Sequence, residues 1–195
     1  QENRALSVKK VLVRRETPSL GKVAVQDVEA ILRATDIDTV VEVLGGLHPA
    51  YEWICRALAA GKDVVTANKA VISAYYRELT ALAHENGAAL RCTAAVGGGI
   101  PWLVNLQRCR RVDTVTEVGG IMNGTTNFIM DAMARQGADF PAVLQRAQEL
   151  GYAEADPSAD IDGDDIRRKL TISANIAFDA LLREEHMPNY QLAHH

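Results

Sequence analysis

Short apolar runs alternate with amphipathic stretches through the first half of the chain. The runs are rich in branched residues, which is typical of strands. We predict strands over residues 8–13, 39–44, 63–66 and 88–93. The stretches between them carry apolar residues at helical spacing, and each is predicted to form a helix. Strands that alternate with helices are typical of a parallel, doubly wound sheet.

The predicted helices are marked by apolar residues on one face and by residues typical of helix ends. Val25, Val28 and Leu32 have the spacing of one face of the first helix. Pro49 suits the first turn of the second helix, and Asn68 can cap the third. Ligands of such sheets bind beyond the carboxyl ends of the strands, so we expect a ligand there.

The pattern changes at residues 96–101, VGGGIP, where glycines and a proline allow a sharp reorientation of the backbone. We place a domain boundary there, between residues 1–95 and residues 96–195. The second part is predicted to be α+β in character. Its elements are a strand over residues 114–122, helices over 126–136 and 140–150, and a helix that carries Lys169.

Composition narrows the class of partner. The chain has 195 residues, 48% hydrophobic and 24% charged, which is enough for a sizeable core. A net charge of -4, without a long lysine or arginine run, predicts no nucleic acid partner. No apolar segment approaches the roughly 20 residues that span a bilayer, so we also predict no membrane partner. The expectation is chemistry on a small molecule.

The cysteines Cys55, Cys92 and Cys109 lie far apart in the sequence. Because their number is odd and no CxxC pair occurs, they argue against both a disulfide framework and a zinc site. A reducing, cytoplasmic location fits best.

The segment GYAEADPSADIDGDDIRRK, residues 151–169, gathers carboxylates around a turn and ends on a lysine. Asp165 and Lys169 lie four residues apart in a predicted helix and project from one face. A lysine beside carboxylates can bind, protonate or deprotonate an oxygen of a small polar substrate. An ordinary surface ion pair remains the alternative. A calcium loop fails on spacing, since Asp165 stands where such a loop needs glycine.

A dinucleotide-binding domain normally starts with a strand and a GxGxxG turn whose amides meet the pyrophosphate. No such turn precedes Val8, and the glycine cluster at residues 97–99 comes late and runs into Pro101. We therefore expect that the first strand and the phosphate loop are lacking. Residues 1–4 are then predicted to be the tail of a helix.

Five segments, in this order, resemble homoserine dehydrogenase: VVEVLGGLHPA, AGKDVVTANKA, AAVGGGIP, GGIMNGTTNFIM and the acidic segment of residues 151–169 described above. The resemblance implies an α/β fold, with an incomplete Rossmann-like parallel sheet domain followed by an α+β substrate-binding and dimerisation domain. It implies reversible, nicotinamide-dependent interconversion of L-aspartate 4-semialdehyde and L-homoserine, a step toward threonine and methionine. It also implies a homodimer, and it marks the chain as a core without the family's C-terminal segment.

By position, the resemblance assigns catalytic roles to two lysines. Lys169 matches the acid/base that protonates the aldehyde oxygen, and Lys69 matches a lysine that contacts the cofactor and orients or polarises the substrate. Glu154 and Asp165 match ligands of the substrate amino group and its surrounding water, and Asp160 belongs to the same group of acidic residues.

The resemblance also implies a cofactor site that relies largely on backbone. Its members are Gly45, Gly46, Thr66, Ala67, Lys69 and Gly151. Arg14 and Arg15 end the strand predicted over residues 8–13, where arginine favours NADP and an acidic residue favours NAD. The two arginines therefore favour NADP. The neighbouring Glu16 is acidic, so NAD remains an alternative.

Members of the family often bind a monovalent cation, commonly sodium, through a glutamate and backbone carbonyl groups. Val96, Gly98 and Ile100 match the carbonyl positions, but Thr93 stands at the glutamate position. Because the anionic ligand is lost, we predict weak or absent cation binding.

Two other functions stay open on the sequence. A chain without the phosphate loop is compatible with a non-catalytic dimerisation or binding module. A dehydrogenase for another small hydroxy compound is the second alternative, since related oxidoreductases share a segment like AGKDVV followed by a lysine.

Overall fold

The computed structural model describes residues 6–190, so the helix tail predicted at residues 1–4 lies outside the described residues. The chain divides into two compact units. Within the described range, the first contains residues 6–68 and 77–92, and the second contains residues 69–76 and 93–190.

The first unit alternates short strands with helices, as predicted. Its elements are β1 (Val11–Leu12), β2 (Ala24–Val25), α1 (Glu29–Leu32), β3 (Thr39–Glu42), α2 (Ala50–Ala59), β4 (Asp63–Thr66), the later part of α3 (Lys69–Glu85) and β5 (Leu90–Arg91). Helix α3 departs from helical geometry at Tyr75, where φ is -125° and ψ is 23°. This kink separates the first turns of α3, which belong to the second unit, from the rest of the helix.

All strand pairs in the described part of the chain are parallel. One sheet has the order β1-β2, and the other has the order β3-β4-β5. Helix α2 packs on β3 and β4, and its Ile54 and Leu58 are buried together with Val64 of β4. Side chains alternate along a strand, so Val41 and Val65 lie on the opposite face, where they are exposed.

One helix prediction in this unit is wrong. Val25 does not share a helix face with Val28 and Leu32, because it lies in β2 and pairs with Leu12 of β1. A turn of 3₁₀ helix over Pro18–Val23 brings the two strands together, and α1 is correspondingly short. A β-branched residue fits a strand pair well, and here pairing outweighs the helical spacing.

The second unit is helical. After the first turns of α3 it contains α4 (Trp102–Cys109), α5 (Gly124–Gln136), α6 (Phe140–Glu149), α7 (Ser158–Ile161) and α8 (Asp164–Phe178). Helices α5 and α6 pack around Ile129, Ala132, Val143 and Ala147. Helix α8 packs against α4 and α7, with Ile172 fully buried.

The strand predicted over residues 114–122 is not formed, and these residues have no regular secondary structure. A strand depends on hydrogen bonds to a neighbouring strand, and no strand is found in the described residues of the second unit. The overall class is nevertheless confirmed: the chain is α/β, with short parallel sheets followed by a second unit. Within residues 6–190, none of the helices has both the length and the apolar character needed to cross a membrane.

Candidate active site

The second unit brings both predicted catalytic lysines to one carboxylate, that of Asp165. Lys169 lies one turn further along α8, with its Nζ 2.7 Å from Asp165 Oδ2. Lys69, the first residue of α3, forms an ion pair with Asp165 Oδ1, although the two residues are 96 positions apart in sequence. The side chain of Asp165 is only 10% exposed and that of Lys169 18%. This burial argues against the interpretation of the pair as an ordinary surface ion pair.

Local sequence explains how Asp165 reaches this position. Gly163, with a φ of 80°, precedes α8 and lets the chain turn sharply into the helix. Asp164 and Asp165 then occupy the first turn, where negative side chains interact favourably with the helix dipole. The spacing of four residues places Lys169 above Asp165 on the same face of α8.

Asn123 is a member of the site that the sequence did not assign to it. Its Oδ1 accepts a hydrogen bond from the backbone N–H of Thr126, at 2.8 Å, and so caps α5. Its Nδ2 donates to Asp165 Oδ2 at 2.9 Å and to Asp160 Oδ1 at 2.6 Å. An asparagine cap leaves its amide nitrogen free to donate elsewhere. That second function is the signal which could have placed Asn123 in the site.

Lys169 is held from two sides. Besides Asp165, its Nζ donates to the backbone carbonyl of Met122, at 2.6 Å. An ammonium group has three hydrogens. Two are therefore directed into the protein, and the third is available for an oxygen of a substrate.

Several influences act on the pKa of Asp165. Burial by itself raises the pKa, but hydrogen bonds from Lys169, Lys69 and Asn123 lower it, and the net result is a pKa below the ordinary value. The carboxylate is therefore charged at neutral pH. It provides a fixed negative charge between the two ammonium groups.

The structure brings some of the predicted acidic residues together and leaves one apart. Asp160 is linked to Asp165 through Asn123. Glu154 is exposed, and its side chain makes no hydrogen bond or ion pair with any residue in the described range 6–190. Among these same residues, no group of acidic, histidine or cysteine side chains is arranged to hold a metal ion.

A second polar network lies in the first unit, at the carboxyl ends of β3 and β4. The buried carboxylate of Glu42 accepts hydrogen bonds from the backbone N–H of Leu44, at 2.7 Å, and from Thr66 Oγ1, at 2.6 Å. Asn68 donates from its side chain to the carbonyl of Gly46, at 2.8 Å. This network shapes the loop after β3. Glu42 is a member that the sequence analysis did not single out.

The predicted cofactor residues differ in how accessible their backbone and side chains are to a ligand. Gly45 and Gly46 have φ values of 76° and 72°, and no atom lies within 4 Å of where a Cβ would be. Their backbone is open, so it fits the close approach of a nucleotide cofactor. Ala67 is exposed, whereas Thr66 is buried with its hydroxyl bonded to Glu42. In the second unit, Gly151 is an exposed glycine with a φ of 77°.

The residues proposed for a cation lie in an irregular turn of the second unit. Thr93 begins a short 3₁₀ helix, and Val96 is buried. The carbonyl of Ile100 accepts a hydrogen bond from the backbone N–H of Trp102, at 2.8 Å. The carbonyl group of Ile100 thus already has a protein donor. Gly98, which lies between Val96 and Ile100 in the sequence, is exposed.

Two family models cover most of the chain. Residues 101–194 match the model described as homoserine dehydrogenase, and residues 1–93 match the model of the NAD binding domain of homoserine dehydrogenase.

Individual relatives agree with the family models. The chain is 44% identical over 187 residues to a homoserine dehydrogenase from Synechocystis, covering 93% of this chain and 43% of that protein. It is 48% identical over 153 residues to the homoserine dehydrogenase of Corynebacterium glutamicum, covering 78% of this chain and 34% of that protein.

Solved structures give the same result. A homoserine dehydrogenase from Thiobacillus denitrificans superimposes with a TM-score of 0.88 at 38% identity, over 95% of this chain and 44% of that chain. A hyperthermophilic archaeal homoserine dehydrogenase in complex with NADPH has a TM-score of 0.74 at 30% identity, over 82% of this chain and 49% of that chain. The chain therefore spans less than half the length of each of these four relatives. On the two family models and these relatives together, the chain belongs to the homoserine dehydrogenase family.

Proposed function

We propose that the chain carries the catalytic centre of a homoserine dehydrogenase, an oxidoreductase that interconverts L-homoserine and L-aspartate 4-semialdehyde with a nicotinamide cofactor. The observation that carries the proposal is the pair of lysines, Lys69 and Lys169, on the single carboxylate of Asp165. An ammonium group that is held by an ionised carboxylate can exchange a proton with the reacting oxygen of an alcohol or aldehyde.

Each polar group at the site has a proposed role. In its ammonium form, Lys169 donates its third hydrogen to the aldehyde oxygen during reduction and becomes a neutral amine; during oxidation the neutral amine takes the hydroxyl proton. Lys69 supplies a second positive charge and helps to orient or polarise the substrate. Its position beside Lys169 is supported by the carboxylate that they share.

The acidic residues are proposed to bind the substrate amino group. A carboxylate has about four acceptor positions, and three donors already contact Asp165. The remaining position, together with the free oxygen of Asp160, can receive the ammonium group of homoserine. Glu154 stays in the proposed substrate set because of the family resemblance; its side chain is exposed and lies in the segment between α6 and α7.

A nicotinamide cofactor supplies and accepts the hydride when it is bound. We propose that the open backbone of Gly45 and Gly46 and the exposed Ala67 contribute to its site. Lys69 and Gly151 belong to the same proposed set. Thr66 contributes by holding the loop through Glu42, because its hydroxyl is already engaged.

The proposed function is tested by substrate-dependent reduction of NADP. We expect this absorbance change with homoserine, and we expect no change with malate or with other small hydroxy acids. Cofactor binding is followed separately, through the fluorescence of Trp53 and Trp102. A change with malate and none with homoserine would favour another dehydrogenase. If neither NADP reduction nor a fluorescence change on addition of cofactor is observed, the non-catalytic module is favoured.

Cofactor preference provides a further test. Arg14 and Arg15 are exposed and lie just after β1, separated from it by Val13, where the extra phosphate of NADP is expected. Replacing both with alanine should weaken binding of NADPH relative to NADH by about tenfold, because two charge-assisted contacts are lost. Glu16→Gln is the matched control and should shift the ratio toward NADPH. An unchanged ratio in both variants would place the phosphate elsewhere.

We propose a homodimer formed through residues 112–121, which is supported by the exposure of Val112, at 86%, and Ile121, at 80%.

We also propose that a monovalent cation binds weakly or not at all, since Thr93 offers no negative charge. A reducing cytoplasm is supported by the three cysteines, all of which are free thiols.

A further inference from the structure

The segment over residues 180–190 runs back along α8, from its end toward its beginning. Near the end of the helix, Asn175 holds Leu182: its Oδ1 accepts the backbone N–H at 2.7 Å, and its Nδ2 donates to the carbonyl at 2.9 Å. Near the beginning, Asn189 donates to the carbonyl of Asp162, at 2.7 Å. We call residues 180–190 the return segment. It spans the part of α8 that contains Asp165 and Lys169.

Glu184 lies in the middle of the return segment and faces inward. One oxygen of its carboxylate accepts a hydrogen bond from the hydroxyl of Ser73. The other lies 3.4 Å from Arg168 Nε and 3.9 Å from Arg167 Nη2. Its side chain is 21% exposed. Glu184 therefore joins a residue of α3 to two residues of α8.

These contacts lie next to the two lysines. Ser73 is one helical turn after Lys69, and Arg167 and Arg168 stand between Asp165 and Lys169. Apolar burial of Val71 and Ile72 keeps the start of α3 in the core, but such packing is not directional. A hydrogen bond to a carboxylate is directional, so it can select one rotation of the helix.

The kink in α3 increases the need for such a contact. At Tyr75 the helix departs from helical geometry, so the turn that holds Lys69 is not fully oriented by the rest of the helix. Lys69 must nevertheless reach Asp165, which belongs to another helix. Lys169 needs no comparable support, because it lies in the same helix as Asp165.

We infer that Glu184 is a positioning residue, which fixes the first turn of α3 against α8 and so keeps Lys69 on Asp165. It acts through Ser73, Arg167 and Arg168. The inference rests on the proposed function for its catalytic meaning, since Lys69 is one of the two proposed catalytic lysines. The geometric part of the inference stands on the contacts alone.

The test follows the lysine ammonium groups by ¹H–¹⁵N NMR in the ¹⁵N-labelled chain. Lys→Arg substitution at positions 69 and 169 assigns the two signals. In Glu184→Ala we expect exchange of the Lys69 ammonium protons with water to rise about tenfold, because a charge-assisted contact is lost. The Lys169 signal should change much less. Ser73→Ala should reproduce the effect on Lys69.

Two further variants make the result specific. Glu184→Gln keeps an acceptor for Ser73 and loses the charge that faces the arginines, so we expect a smaller rise, and it replaces Glu184→Ala if that variant does not fold. Glu185→Ala is the matched control, because the Glu185 side chain is 68% exposed and its ion pair is with Arg183, at 4.0 Å. It should leave both signals unchanged. Unchanged Lys69 exchange in both Glu184 variants, or an equal rise in Glu185→Ala, would overturn the inference.

Activity is measured beside the NMR signals, so the two proposals can fail separately. In an active chain, Glu184→Ala should lower kcat for homoserine more than it raises the KM for cofactor, because Lys69 is only one of several residues in the proposed cofactor set. An inactive wild-type chain whose Lys69 signal still depends on Glu184 would contradict the proposed function and support the positioning role.

Discussion

Replacement of Lys169 with alanine is expected to lower the turnover of homoserine by about 10²–10⁴, which is the usual contribution of acid/base assistance. Cofactor affinity should change little, because Lys169 is not among the proposed cofactor residues and its ammonium group contacts Met122 and Asp165. Steady-state rates with NADP and homoserine, together with a fluorescence titration of the cofactor, measure both quantities. An unchanged rate would remove Lys169 from the mechanism.

Two companion variants separate proton transfer from charge. Lys169→Arg keeps a positive charge that does not leave at accessible pH. It should remain as slow as Lys169→Ala if the group transfers a proton. It should recover most of the rate if the group supplies only charge. Lys22→Ala, which removes an exposed lysine of the first unit, is the control and should have full activity.

The second large effect is expected on stability. Asp165→Asn leaves the ammonium groups of Lys69 and Lys169 without their shared anion. Breaking a buried ion pair by removing one partner is strongly destabilising, and the partial exposure of the lysines reduces the cost. We expect the free energy of unfolding in urea at pH 7 to fall by about 2 kcal/mol.

The pH dependence of that difference has a defined sign. The pKa of Asp165 in the folded chain is lowered from an ordinary value of 3.8, because hydrogen bonds from the lysines and Asn123 outweigh the effect of burial. Its ionised form therefore contributes stability above pH 3.8, and this contribution is lost as the pH falls through the lowered value. Wild type and Asp165→Asn should differ equally at pH 7 and pH 5 and should converge in stronger acid.

Asp164→Asn is the matched control for this experiment. Asp164 is the neighbouring carboxylate in the same first turn, and it pairs with Arg167 at 2.8 Å with 34% of its side chain exposed. We expect it to change the free energy of unfolding by less than about 1 kcal/mol. A loss as large as that of Asp165→Asn would mean that the first turn of α8, rather than the lysine pair, carries the effect.

Sequence patterns correctly predicted those elements of the fold that depend on residues close together in the sequence. The strand Asp63–Thr66 was predicted with the observed bounds, α5 and α6 lie within one or two residues of their predicted positions, and α8 is the predicted helix that carries Lys169. The pair of Asp165 and Lys169 was predicted for the same reason, since a spacing of four residues brings two side chains together in any helix. Family resemblance added Lys69, which no spacing connects to Asp165.

The failures concern pairing over longer distances. Val25 had the spacing of a helix face, but it pairs with Leu12 in a strand. Residues 114–122 had the composition of a strand, yet they form none. Whether a segment becomes a strand depends on a partner elsewhere, which its own residues do not specify.

The amino-acid sequence alone was therefore enough for the α/β class, the family and the helix that carries Asp165 and Lys169, because periodicity and ordered motifs are local properties of the chain. Tertiary contacts were needed to bring Lys69 to Asp165 across 96 positions, to turn the cap residue Asn123 into a link between two carboxylates, and to set Glu184 against Ser73. Those contacts arise from packing of helices that are distant in sequence, and such packing depends on the whole unit at once.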